Sequence, residues 1–200
     1  MAQTRVEAWM TAIVKQWFAI MERLSLEPRR IASPDRTVLE EIVLPYFGRQ
    51  AGFQRVLFVG CSAYTQGYEA LFQHKEYWTI DYQPMKRQYG ATRHIVGSIT
   101  DLQRHVPLAY FQAIIMNGVI GFGLDAVADI ERALEACFEA LEHGGILVLG
   151  WNDQTRRMPV ELDALQALRR FAAHPFEPLQ TAHFRTTGRQ RHVFSFYRKA

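Results

Sequence analysis

The chain has 200 residues and a formal net charge of +3, and 48% of its residues are hydrophobic. That length builds one domain with a substantial core, since chains of this size bury about 70% of their unfolded surface. No apolar run approaches the roughly 18 residues of a membrane span, the N-terminus lacks a secretory pattern, and Cys61 and Cys137 are not in CxxC spacing. A disulfide framework, a cysteine metal site and a membrane partner are therefore not expected, and the expected location is the cytoplasm.

In chain order, Thr4-Arg-Val-Glu7 reads as a capping box that opens an amphipathic helix carrying Val6, Trp9, Ile13, Trp17, Ile20 and Leu24. Its aromatic face suits a lid or packing helix, with dimerisation or contact with an apolar acceptor as the other roles. Ser33-Pro34 starts a second helix, expected to end near Leu44-Pro45 before a break at Gly48. Both helices precede the first strand and are expected to be an appendage, residues 1–52, to a core of residues 53–200.

The most informative stretch follows. Val56-Leu-Phe-Val59 reads as a buried strand that delivers the backbone into a small-residue turn, Gly60-Cys61-Ser62-Ala63. After a helix-like stretch, a second strand, Tyr77-Trp-Thr-Ile80, stops on Asp81. Strand, glycine turn, helix, strand and acidic end form a βαβ unit suited to a nucleoside-bearing cofactor. The turn keeps side-chain bulk away from the cofactor, and a carboxylate can accept both hydroxyls of a ribose diol. Asp81 lies about twenty residues beyond Gly60, the spacing such a unit needs. Cys61 reads as a small residue lending its backbone amide, since no neighbouring His or Lys suggests an activated thiolate.

His94-Ile-Val96 is the third expected strand, ending at Gly97-Ser98, and Tyr110–Met116 is the fourth, ending at Asn117-Gly118. Ile130, Ala133, Leu134, Cys137, Phe138 and Leu141 mark a helix expected to close at Gly144-Gly145. Ile146–Leu149 is the fifth strand, running into Gly150-Trp151-Asn152, and a helix is expected around Pro159–Phe171. Two extended segments, near Leu179–Phe184 and Arg191–Arg198, read as an antiparallel pair about Gly188. Strands alternating with helices imply a mainly parallel, doubly wound sheet. Residues 151–200 hold 9 Lys/Arg against 4 Asp/Glu. This basic excess lacks the interleaved aromatics of a nucleic-acid groove and reads as solvated surface.

This order of elements resembles the class I S-adenosylmethionine-dependent methyltransferases, from about Phe53 to the C-terminus. The resemblance implies an α/β fold: a doubly wound, mainly parallel seven-stranded sheet with an antiparallel C-terminal strand and helices on both faces. It implies S-adenosylmethionine as cofactor, and Gly60, Cys61 and Ser62 match the family's glycine-rich first motif. Asp81 matches its ribose-binding acid, Tyr82 is placed along the adenine, and Ser98 and Ile99 stand where the family contacts the adenine edge. Asn117 matches the end of the fourth strand, facing the methyl group and the acceptor, and Trp151 and Asn152 are the other acceptor-binding candidates. Phe58, Tyr64 and Ser98 depart from the pattern. The implied activity is methyl transfer to a small-molecule acceptor. The competing readings are a catalytically inactive binding subunit and an RNA methyltransferase, with a homodimer as an open arrangement. If the acceptor is a hydroxyl, Asp153 and the histidines are the candidate bases.

Overall fold

The computed structural model describes residues 32–200. The amphipathic helix expected between Thr4 and Leu24 lies outside the described residues. Eight strands form one sheet: β1 (Arg55–Val59), β2 (Glu76–Asp81), β3 (Arg93–Val96), β4 (Phe111–Asn117), β5 (Leu141–Asn152), β6 (Phe171–Ala173), β7 (His183–Arg185) and β8 (His192–Lys199). The order is β3-β2-β1-β4-β5-β8-β6, with β7 also on β8. The first five strands are parallel, and β8 runs antiparallel to β5, β6 and β7. The expected doubly wound sheet with an antiparallel C-terminal strand is therefore present. The expected seventh position, at the edge beyond β8, is shared by two three-residue strands. The chain leaves that edge after His174, whose amide donates to the Phe196 carbonyl. It rejoins at Ala182, whose carbonyl accepts the Phe196 amide.

Alternating side chains bury both faces. Leu57, Val59, Ile114, Met116, Leu147 and Leu149 pack against Ile130, Ala133, Leu134 and Cys137 of the 14-residue helix Val127–Ala140. Val56, Phe58, Ala113, Ile115, Val148, Phe194 and Phe196 face the other way, onto Leu39, Val43, Leu44 and Phe47. Those last four belong to a continuous helical segment built from α1 (Pro34–Val38), a π stretch (Leu39–Val43) and α2 (Leu44–Arg49). Val127–Ala140 is α3. Among the described residues no helix is long and apolar enough to cross a membrane.

Four local expectations change, each for a physical reason. The second helix does not stop at Leu44-Pro45. The π stretch ends just before Pro45, so α2 begins where a missing amide leaves no bond broken. Gly144-Gly145 does not cap α3, which ends at Ala140 and passes directly into β5. The two glycines instead lie where the β4–β5 register shifts, Phe111 facing Leu141 and Ala113 facing Ile146. The connection after β1 is two short 3-10 turns, Ala63–Thr65 and Tyr68–Phe72, separated by Gly67 at φ 92°. The helix expected around Pro159–Phe171 is likewise two 3-10 turns, Leu162–Ala164 and Ala167–Arg170. There the Glu131 carboxylate of α3 accepts the amides of Gln166 and Ala167 at 2.7 and 2.8 Å, so they are not free for an α-helical ladder.

Gly48 sits inside α2, where alanine would ordinarily gain about 1 kcal/mol of helix propensity. A Cβ there would fall 2.3 Å from the Leu71 carbonyl oxygen. Backbone cannot give way as a side-chain tip can, so the steric penalty wins. Gly48→Ala is expected to lower stability by about 1–3 kcal/mol, read as a lower urea midpoint at unchanged slope.

Candidate functional site

The strand order reverses between β1 and β4, and a crevice opens over the carboxyl ends of the strands at such a point. Register does the rest: Val59 lies beside Ile80, so the next residues, Gly60 and Asp81, meet at neighbouring strand tips. Gly60 takes φ 87°, which a side chain resists, and its amide donates to the Ile80 carbonyl at 2.9 Å. Asp81 is 9% exposed. One carboxylate oxygen accepts the Cys61 amide at 2.8 Å and the other the Gln83 amide at 2.9 Å. The third tip joins through the Gly97 amide, which donates to the Asp81 carbonyl at 3.0 Å.

The cleft above these tips has a volume of about 260 Å³. Gly60, Cys61, Ser62, Asp81, Tyr82, Ser98, Ile99 and Asn117 all line it, so eight residues singled out as cofactor-binding candidates converge on one space. Cys61 contributes its amide to Asp81. Its thiol is pushed up to about 12, chiefly by burial and then by the Asp81 charge, so it stays protonated. Ser98 is already engaged, its hydroxyl accepting from the Thr100 amide at 3.2 Å and lying 2.8 Å from the Thr100 hydroxyl. Tyr82 and Phe122 stand half-exposed at the rim, with the Tyr82 ring against Gly123.

One lining residue carries no sequence signal. Arg36, from the first turn of α1, is 9% exposed, and its guanidinium donates to the Tyr68 hydroxyl at 2.9 Å. It lies 4.0 Å from the centroid of the Tyr64 ring. The Tyr68 hydroxyl in turn donates a hydrogen bond to the Glu40 carboxylate at 2.6 Å. Among the described residues no carboxylate forms an ion pair with Arg36 directly, and such a buried cation is costly unless an anion joins it. Tyr64, too bulky for a glycine-loop position, is accommodated as the platform under this guanidinium.

Asn117 connects the cleft to β8. Its Oδ1 lies 3.0 Å from His192 Nε2, and His192 Nδ1 lies 2.7 Å from the Asn152 side chain. His192 is 4% exposed. Burial pushes the imidazole down to about 4; Arg36 adds to that shift and Asp35 partly offsets it. Asn152 thus reaches the site only through His192, its register partner across β5 and β8. The structure does not bring Trp151 to the cleft. Trp151 lines a separate groove with Leu165, Phe171, His183 and Tyr197, and its indole N–H donates to the Ser195 hydroxyl at 3.1 Å. Asp153 is ion-paired with Arg185 at 2.6 Å and Arg191 at 2.9 Å. The Arg185 hydrogen bond leads in holding its carboxyl below the usual range, so it is a poor base.

Solved structures share this architecture. NodS, an N-methyltransferase from Bradyrhizobium japonicum WM9 solved with S-adenosylhomocysteine, aligns over 90% of this chain and 95% of its own with a TM-score of 0.63 at 14% identity. A TehB-like S-adenosylmethionine-dependent methyltransferase from Corynebacterium glutamicum aligns over 97% and 100%, with a TM-score of 0.58 at 19% identity. Magnesium protoporphyrin IX methyltransferase from Synechocystis, solved with S-adenosylmethionine, aligns over 83% and 79%, with a TM-score of 0.58 at 13% identity. The chain has the class I methyltransferase fold. No protein-family profile and no curated protein sequence matches it. Open α/β sheets in general hold ligands in the crevice outside the carboxyl ends of the strands, and the sequence candidates gather at that crevice here.

Once the chain unfolds, His192 regains an ordinary imidazole value near 6.5. The stability that depends on a neutral His192 is therefore complete above about pH 6.5 and is lost as the pH falls toward 4. The expected loss is about 2–3 kcal/mol by urea unfolding. His192→Gln, which does not titrate, should remove most of that dependence. A smaller slope of the same sign should remain from His94 and His174, both lowered chiefly by burial.

Proposed function

We propose that this protein binds S-adenosylmethionine in the cleft over β1, β2 and β4 and transfers its methyl group to a small-molecule acceptor. The observation that carries the reading is Asp81: a buried carboxylate at the tip of β2, beside a glycine turn at the strand-order reversal. Each of its oxygens accepts one backbone amide. A carboxylate offers about four acceptor positions, so capacity remains for the two hydroxyls of a ribose. Tyr82 then flanks the adenine, with Ser98 and Ile99 at its edge. The turn at Gly60, Cys61 and Ser62 leaves room for the methionine part. Arg36 supplies a cation for that part's carboxylate, which answers the lack of an ion-pair partner among the described residues. The neighbours solved with this cofactor or its product support the same assignment.

The sulfonium supplies an electrophilic methyl group. What remains for the chain is alignment and exclusion of water, and alignment alone lowers a barrier by about 7–11 kcal/mol. Asn117, at the tip of β4, is placed to orient the acceptor. Among the described residues no acid–base dyad is assembled in the cleft, and this kind of transfer to an already ionised or lone-pair nucleophile needs none.

Calorimetric titration with S-adenosylhomocysteine tests the reading. Binding is expected, with Asp81→Ala and Arg36→Met each weakening it about ten- to hundredfold, as for loss of a charge-assisted hydrogen bond. An absence of heat and of thermal shift at millimolar ligand would reject it.

A further inference from the structure

The orientation of the Asn117 side chain is imposed by two neighbours. A Cβ on Gly150 would fall 1.8 Å from Asn117 Oδ1 and 2.9 Å from His192 Nε2. The amide oxygen thus occupies the space that any side chain at position 150 would fill, directly over a Cα–H. That weakly acidic hydrogen attracts an oxygen and repels an amide N–H. His192 Nε2 lies 3.0 Å from the same oxygen. A neutral imidazole has a single N–H, and at Nε2 it would donate to the oxygen of Asn117. Asn152 Oδ1 lies 2.7 Å from Nδ1, so with the single ring proton at Nε2 the Asn152 carboxamide has to exchange its oxygen for its nitrogen there for every donor to meet an acceptor. A doubly protonated ring would leave Asn117 in the same orientation. Only a ring bare at Nε2 would reverse it.

We propose that His192 is a positioning residue which, with the missing side chain at Gly150, turns the Nδ2 hydrogens of Asn117 into the cleft and thereby commits the site to an acceptor bearing an anionic oxygen. Such an acceptor is a carboxylate or an ionised hydroxyl. The inference rests on the methyl-transfer reading above. An amine acceptor would need a hydrogen-bond acceptor at the tip of β4 to hold its N–H, and Asn117 in this orientation offers only donors. An oxygen that arrives ionised also needs no base, in keeping with the pairing of Asp153 to two arginines.

The test is nuclear magnetic resonance on the full chain, labelled with nitrogen-15 and saturated with S-adenosylhomocysteine. Multiple-bond proton–nitrogen spectra should show His192 protonated at Nε2. The Asn117 side-chain amide, assigned by its loss in Asn117→Asp, should shift on titration with benzoate and stay in place with benzylamine. His192→Gln puts an amide N–H where Nε2 was and should keep the benzoate affinity within about threefold, whereas His192→Leu should weaken it about tenfold, the worth of one hydrogen bond. A bare Nε2 overturns the proposal whichever probe binds, as does a response to benzylamine alone. Failure of the methyl-transfer reading is recognised separately, by wild-type protein that does not take up S-adenosylhomocysteine.

Discussion

A single carboxylate ties the site together. Asp81 accepts the amide that follows the β1 turn on one oxygen and the amide of its own loop on the other, while its carbonyl holds the amide after β3. Hydrogen bonds to a charged, buried group contribute roughly 1.5–3 kcal/mol each, about twice a neutral bond. Three strand tips are thereby fixed relative to one another before any ligand arrives. A turn held in this way loses little freedom on binding, which is the form preorganisation takes here. The left-handed backbone at Gly60 is the local cost, and the Ile80 carbonyl that receives its amide offsets part of it.

How much of this was legible in the sequence depends on how local each signal is. The pairing of Gly60 with Asp81 was readable because parallel register carries it: a strand, a return and a second strand of known rise bring two strand ends together at one spacing. The five parallel strands were readable for the same reason, as apolar runs bounded by small or polar residues. Elements set by distant side chains were not. The segment from Pro159 to Phe171 has helical periodicity, yet Glu131 takes two of its amides and breaks it into 3-10 turns. The edge strand β6 is three residues long and exists only because β8 offers an edge. Arg36 carries no motif at all. Its role follows from α1 packing over the Phe58 face of the sheet, a contact that no spacing encodes, and its one local hint was a charged residue in an otherwise apolar-faced helix.

The departures from the family pattern are coupled to one another. Phe58, standing where an acidic residue is usual, packs edge-on against Tyr68 with ring centroids 5.5 Å apart. Tyr68 in turn holds Arg36, and Arg36 covers Tyr64. Where the resemblance implies an acid in β1 this chain has an apolar ring, and α1 brings in a cation supported by two phenol rings. In the proposed reading, a buried cation without an acid in β1 makes the carboxylate of the methionine end, and not its amino group, the handle. Burial pushes the Tyr68 hydroxyl well above the usual phenol range against the pull of Arg36, so it remains a neutral bridge between arginine and Glu40.

The antiparallel strand that distinguishes this sheet from a plain nucleotide-binding one has a consequence at the site. Because β8 is hydrogen-bonded to β5, and Asn152 is opposite His192, the imidazole arrives beside β4 from the sheet's interior and not from a loop. Loop residues can move when a ligand binds, but a side chain rising from a central strand is held by its neighbours on both sides. Gly150 is the necessary gap: any side chain there would collide with Asn117 and His192 at once. The orientation of Asn117 at the tip of β4 is therefore set by three strands acting through one ring.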